Sequence, residues 1–128
     1  MTNSKWVLIV EDDVFIDKAY RAKFSHENIP TEYASDGESA IKILVEKKDN
    51  PPAVVLLDLM LPRKNGFEVL EEMKADPILK NIPVMILSNL GQESDVKKGM
   101  ALGANEYLVK AETKINTIIE KSRAYLDK

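Results

Sequence analysis

The stretch "VVLLDLMLPRKNG", residues 54–66, decides the fold. Val54 to Leu57 form an unbroken aliphatic run, which reads as a strand covered on both faces, as in a parallel sheet. The run ends in Asp58, and a carboxylate at the end of a buried strand is unfavourable unless charge or hydrogen bonds balance it. Pro62 and Gly66 then mark a turn. Asp58 therefore stands at the mouth of a loop and needs partners from elsewhere in the chain.

Four other β-branched or aliphatic segments flank that strand, separated by stretches with helical spacing, the pattern of repeated βα units. The strands are predicted at about 5–10, 31–35, 53–58, 83–88 and 105–109. "KWVLIV", "AVVLLD" and "PVMILS" are almost wholly apolar and belong in the centre of the sheet, whereas "TEYAS" and "NEYLV" suit its edges. Helical faces follow from spacing: Ile16, Ala19, Tyr20 and Phe24; Ala40, Ile43 and Leu44; Gly66, Val69, Leu70 and Met73; Val96 and Met100; Ile115, Ile118, Ile119 and Leu126. "SDGE" at 35–38 predicts a capping box for the second helix, and Pro77 and Pro83 bound the connection after the third. The expected architecture is a doubly wound α/β domain with a five-stranded parallel sheet and five helices, filling residues 1–128 as one unit.

Composition narrows the function classes. The 18 basic and 21 acidic residues leave a net charge of −3, with no stripe of Lys and Arg of the kind nucleic acid or an anionic membrane selects. No cysteine is present, which excludes disulfides and thiolate metal sites. "WVLIV" is too short to span a bilayer and "MTNSK" lacks a secretory apolar stretch, so a cytoplasmic protein is expected.

The strand ends carry the chemistry. Glu11, Asp12 and Asp13 follow the first strand, Asp58 the third, Ser88 and Asn89 the fourth, and Lys110 the fifth. In an open parallel sheet these carboxyl ends border the ligand crevice. Carboxylates ~4 Å apart repel by about 1 to 4 kcal/mol per pair, which a bound cation relieves. All-oxygen ligands favour Mg²⁺, which takes one or two carboxylates and keeps waters that a phosphate can displace. With the Lys110 ammonium and the Ser88 hydroxyl alongside, the set has what would hold a phosphoryl group on Asp58. Asp12, Asp13 or Ser88 alone would read as a cap or turn former, and Lys110 alone as a solvated lysine. Delivery of all of them to one sheet edge turns the reading toward a phosphoacceptor.

On these residues the chain resembles the receiver domain of two-component response regulators, from "KWVLIVEDD" to the last helix. The opening stretch is similar to the family's phosphorylation segment, with Leu61, Pro62 and Gly66 after the aspartate. "VMILSN" is similar to its Ser/Thr strand end, and "GANEYLVK" to its aromatic and lysine strand. The resemblance implies a flavodoxin-like sheet in the order 2-1-3-4-5. It implies that Asp58 accepts a phosphoryl group from a sensor histidine kinase or phosphotransfer protein, with Ser88, Lys110 and the amide of Asn89 holding the phosphoryl oxygens. It further implies Mg²⁺ ligation by Glu11, Asp12, Asp58 and the Met60 carbonyl. Ser88 and Tyr107 would be the switch, read by a downstream protein at the face of the fourth helix, fifth strand and fifth helix. A stand-alone, chemotaxis-regulator-like receiver is expected, acting in phosphorelay signalling with only self-phosphotransfer and weak autodephosphorylation.

Two positions depart from the family pattern. Lys110 is followed by Ala111 where proline is usual; a cis bond before a non-proline residue costs roughly 2.5 to 4 kcal/mol, which points to a trans turn with Lys110 placed differently from the family norm. Met60 and Leu90 are apolar where many relatives are polar, an arrangement expected to hinder water and lengthen the phosphorylated lifetime. Two other classes compete. An aspartyl-phosphate phosphatase needs a second carboxylate two residues after its nucleophile, where this chain has Met60. A phosphate-independent binding module would not need the acid, hydroxyl and lysine positions. The single histidine, His26, is expected at the surface near the end of the first helix, not as a phosphohistidine carrier.

Overall fold

Five parallel strands run in the order 2-1-3-4-5 in this computed structural model, which describes residues 5–127. Residues 1–4 and 128 of the expected unit lie outside the described residues. The elements are β1 (Val7–Val10), α1 (Val14–His26), β2 (Thr31–Ala34), α2 (Gly37–Glu46), β3 (Val54–Leu57), α3 (Gly66–Ala75), β4 (Val84–Ser88), α4 (Glu93–Ala101), β5 (Glu106–Val109) and α5 (Ile115–Leu126). Single 3-10 turns cover Leu79–Asn81 and Lys110–Glu112. The strands are slightly shorter than the apolar runs predict. Asp58 lies just past β3, yet its amide still donates to the Val10 carbonyl at 3.1 Å, so the ladder carries it to the edge.

Alternate strand residues face opposite layers, as a two-residue period requires. Leu8, Val10, Val55, Leu57, Val84 and Ile86 meet Ala40 and Leu44 of α2 and Val69, Leu70 and Met73 of α3. Val7, Ile9, Val54, Leu56, Met85 and Leu87 meet Tyr20 and Phe24 of α1 and Ile118 and Ile119 of α5. Each fully buried side chain of this size contributes roughly 1.5 to 3 kcal/mol, so both layers are needed to hold the sheet.

Three local expectations are corrected. Ala19 and Met100 are exposed rather than turned to the sheet. On α4 the buried position is Gly99, where an added Cβ would lie 2.7 Å from Ile86 and 3.1 Å from the Tyr107 ring; the helix approaches the sheet through a missing side chain, not an apolar one. The cap of α2 is Asp36 and not Ser35, so no Ser35–Glu38 box forms. The Asp36 carboxylate accepts the Ser39 amide at 2.8 Å on one oxygen and the Ser39 hydroxyl at 3.0 Å on the other. A capping box does form at α3, where Asn65 accepts from the Glu68 amide at 3.0 Å and Glu68 accepts from the Asn65 amide at 3.1 Å.

Candidate functional site

Strand register brings the chemistry to one edge. Val10 pairs with Leu57, Leu57 with Ile86, and Ile86 with Tyr107, so the carboxyl ends of all four strands lie at one edge, with β4 and β5 running two residues beyond β1 and β3. Just beyond them, Glu11, Asp12 and Asp58 each offer a carboxylate oxygen, all within 4.8 Å of one another. Asp13, the fourth nearby acid, is committed elsewhere: it caps α1, accepting from the Phe15 and Ile16 amides at 2.9 and 3.1 Å. The acids of this loop thus divide between metal-type geometry and helix capping.

Lys110 closes the cluster from β5. Its ammonium donates to Asp58 Oδ2 at 2.9 Å and also to Glu11 Oε1. The Lys110–Ala111 bond is trans, and the 3-10 turn that begins at Lys110 still delivers the ammonium to Asp58. Glu11 and Asp58 have side chains only 1% and 7% exposed. Burial raises the Glu11 pKa above the usual carboxylate value, and the Lys110 and Asp13 hydrogen bonds reverse only part of that rise. For Lys110, burial alone would lower the pKa, but the hydrogen bonds and charges of Glu11 and Asp58 outweigh it and hold the ammonium above the ordinary lysine value. The remaining Asp58 oxygen, Oδ1, accepts the Met60 amide at 3.2 Å.

Ser88 and Tyr107 are linked through Leu90. The fully buried Ser88 hydroxyl accepts the Leu90 amide at 3.2 Å, while the Tyr107 hydroxyl donates to the Leu90 carbonyl. Tyr107 is half-buried, with its ring against Gly99 of α4. The Asn89 side chain accepts the Ala111 amide at 3.1 Å, joining the loop after β4 to the one after β5. His26 is exposed at the end of α1, as expected.

Several features of the site surroundings escaped the sequence reading. Val14 and Phe15, which open α1 just after the acids following β1, are 61% and 84% exposed, and Met60, two residues after Asp58, is 60% exposed. Their signal was present, since the α1 face starting at Ile16 leaves Phe15 off the sheet side. "NGFE" at 65–68 carried the capping-box spacing and was overlooked. The ion pair between Arg63 and Asp36, at 2.7 Å, had no local signal because 27 residues separate the partners.

Comparison with known proteins agrees with this geometry. The family model described as response regulator receiver domain matches residues 7–122. The chain is 36% identical over 104 residues to the "Probable transcriptional regulator ycf27" of Guillardia theta, covering 81% of this chain and 39% of that protein. It is 33% identical over 104 residues to the "DNA-binding dual master transcriptional regulator RpaA" of Synechocystis, covering 81% and 42%. It spans about two-fifths of these curated relatives. Among solved structures, the Francisella response regulator 1452 receiver domain superposes with a TM-score of 0.85 at 29% identity, covering 97% of this chain and 98% of that one. The Mn²⁺-bound form of response regulator Rcp1 superposes at 0.77 with 30% identity, covering 96% and 90%. Among the described residues no helix is long and apolar enough to cross a membrane.

Proposed function

The chain belongs to the response regulator receiver domain family, and on that premise we propose that it is a Mg²⁺-dependent phosphorylation switch with Asp58 as the phosphoacceptor. The observation that carries the reading is the convergence of Glu11, Asp12, Asp58 and Lys110 from three separate strands. The donor set fits the metal: three carboxylates supply only oxygen ligands, which a hard divalent cation prefers. The relative Rcp1, which has a Mn²⁺-bound form, supports a divalent site. Glu11, Asp12, Asp58 and the Met60 carbonyl would hold the ion. When bound, it supplies positive charge to the oxygens of the transferring phosphoryl group.

The chain's own residues do the rest. An Asp58 carboxylate oxygen attacks the phosphorus of a phosphohistidine or small acyl phosphate, and the bond from phosphorus to the leaving group breaks. Lys110, already against Asp58, takes a phosphoryl oxygen, and the amide of Asn89 donates to another. Ser88 rotates its hydroxyl away from the Leu90 amide to donate to a third. That rotation disturbs the Leu90 segment whose carbonyl holds the Tyr107 hydroxyl, and Tyr107 turns inward. A charge-assisted hydrogen bond is worth about 1.5 to 3 kcal/mol, while inverting a two-state population from 1:99 to 99:1 takes about 5.5. Ser88 therefore acts together with Lys110 and Tyr107, and the change is read at the α4–β5–α5 face by a protein partner.

The proposed donor is a sensor histidine kinase or phosphotransfer protein of the cytoplasm, and residues 1–128 act as one receiver unit. DNA binding, named for RpaA, is not carried over: this chain has 18 basic against 21 acidic residues and no basic stripe. Turnover as a phosphatase is disfavoured, because Met60 stands where that chemistry needs a second carboxylate. Acetyl phosphate added with and without Mg²⁺, followed by intact mass, tests the proposal. A single phosphoryl adduct that requires Mg²⁺ and is absent in Asp58→Asn is expected. No adduct, or continuous phosphate release without one, would overturn it.

A further inference from the structure

The loop from Asp58 to Asn65 is fastened at its tip to the start of α2, and the fastening is unusual. Arg63 sits at φ 66°, the left-handed region that glycine enters freely and a long side chain does not. Its guanidinium donates to Asp36 Oδ2 at 2.7 Å. The Asp36 side chain, 5% exposed, already accepts the Ser39 amide and hydroxyl, so Arg63 completes a nearly buried carboxylate. The next residue is held as well: at Gly37 an added Cβ would run into the Lys64 carbonyl, so only glycine lets the two backbones touch there. The base of the loop is closed by the Gly66 amide donating to the Leu59 carbonyl at 3.0 Å. Pinned at base and tip, the loop has little freedom left, and Met60 lies between the pins.

We propose that Arg63, through Asp36, is a positioning residue that fixes the Met60 carbonyl for the metal. The inference rests on the Mg²⁺ reading given above. Arg63 is 63% exposed while Asp36 is 5% exposed, so the guanidinium reaches out of solvent to a carboxylate that the Ser39 amide and hydroxyl already satisfy in part. A left-handed backbone kept at a non-glycine residue, three positions after Met60, so that its side chain can reach the start of α2 points to a local task in the loop. A loop already in place spares the ion the ordering of its carbonyl ligand, in the way outer hydrogen bonds orient inner ligands at metal sites. The Arg63–Asp36 pair also makes the start of α2 a support for the acceptor loop, a role separate from its cap.

Arg63→Gly removes the pair while suiting the backbone, Asp36→Asn removes the charge while keeping a capping residue, and Arg63→Lys restores a cation. Mg²⁺ affinity by calorimetric titration and the Met60 amide signal by NMR are the readouts. Arg63→Gly and Asp36→Asn are each expected to weaken Mg²⁺ binding about tenfold and to broaden the Met60 amide, with Arg63→Lys recovering part of the loss. The double variant should lose no more than either single one, as for two partners of one contact. Parent-like affinity in Arg63→Gly, or losses that add, would overturn the proposal. A parent protein that takes up no Mg²⁺ would instead overturn the metal reading, and this inference with it.

Discussion

Replacing Lys110 with methionine keeps an unbranched side chain and deletes the one cation bonded to both Glu11 and Asp58. Carboxylate oxygens within 4.8 Å then face each other without compensation, a repulsion of about 3.5 kcal/mol at an effective dielectric of ~20. Leaving a buried charge unpaired costs about 3 kcal/mol or more, which for a chain of 128 residues lowers Tm by roughly 10 °C. The same repulsion makes the site hungrier for a cation. Mg²⁺ no longer competes with an ammonium for the Glu11 and Asp58 oxygens, so its affinity rises by about tenfold if ~1.4 kcal/mol of the repulsion is recovered. Thermal unfolding near neutral pH, with and without millimolar Mg²⁺, and calorimetric titration measure both effects. The Tm deficit should shrink on adding Mg²⁺, and also on acidification, because Glu11, whose pKa burial already raises, then takes up a proton. Mg²⁺ binding no tighter than in the parent would refute the claim that Lys110 and the ion share these oxygens.

Met60→Asn places a polar group beside Asp58 in place of an exposed apolar chain and is expected to speed loss of the phosphoryl group; an unchanged or slower rate of phosphate release would reject the shielding role. Tyr107→Ala breaks the link through Leu90, so phosphorylation should strengthen partner binding less than in the parent, and equal strengthening in both would reject the coupling. Asn65→Ala removes the α3 capping box at a cost of about 1 kcal/mol, or about 4 °C in Tm, measured by calorimetry. The Asp76 carboxyl is held down to about 2, first by the Lys48 ammonium at 2.7 Å and then by the Leu79 and Ile78 amides. Its contribution is complete above the ordinary carboxylate pKa of 3.8 and is lost as pH falls through about 2, so the Tm gap between parent and Asp76→Asn should close over that range and stay constant near neutrality.

What could be read from the residues differs from what could not by the range of the interaction that sets it. β1, β3 and β4 were legible because burial on both faces leaves an unbroken apolar run, and the turn after Asp58 was legible from Pro62 and Gly66. The sheet order then placed Glu11, Asp58, Ser88 and Lys110 at one edge, although Lys110 and Glu11 are 99 residues apart. The α4 face was misread because its contact with Ile86 and Tyr107 is made by Gly99, and hydrophobic spacing cannot register an absent side chain. The α2 cap is displaced by one residue because a serine and an aspartate, both good caps, adjoin, and the helix starts at Gly37 with its Ser39 amide on Asp36. The Arg63–Asp36 pair was invisible, since it depends on how two loops meet.

Under the proposed function, the charge at the sheet edge accounts for a metal and a phosphoryl group sharing one site. Three ionised carboxylates against one ammonium leave Glu11, Asp12, Asp58 and Lys110 with two net negative charges. A phosphoryl donor, itself anionic, is repelled by that excess, and a divalent cation cancels it. Once Asp58 is phosphorylated, its single charge becomes about −1.5 to −2, and the complete set with the ion stays within about one charge of neutral. The small remainder is within reach of the Ser88 hydroxyl and the Asn89 amide, which carry no charge of their own. Without the ion the phosphorylated edge would hold about three negative charges around the buried Glu11 and Asp58, a state the two neutral donors could not balance. On the proposed reading, neutrality of the loaded site, and not any one strong contact, keeps the acyl phosphate stored. On the same reading Ser88 is the responsive element, tipping only after the larger charges have been matched.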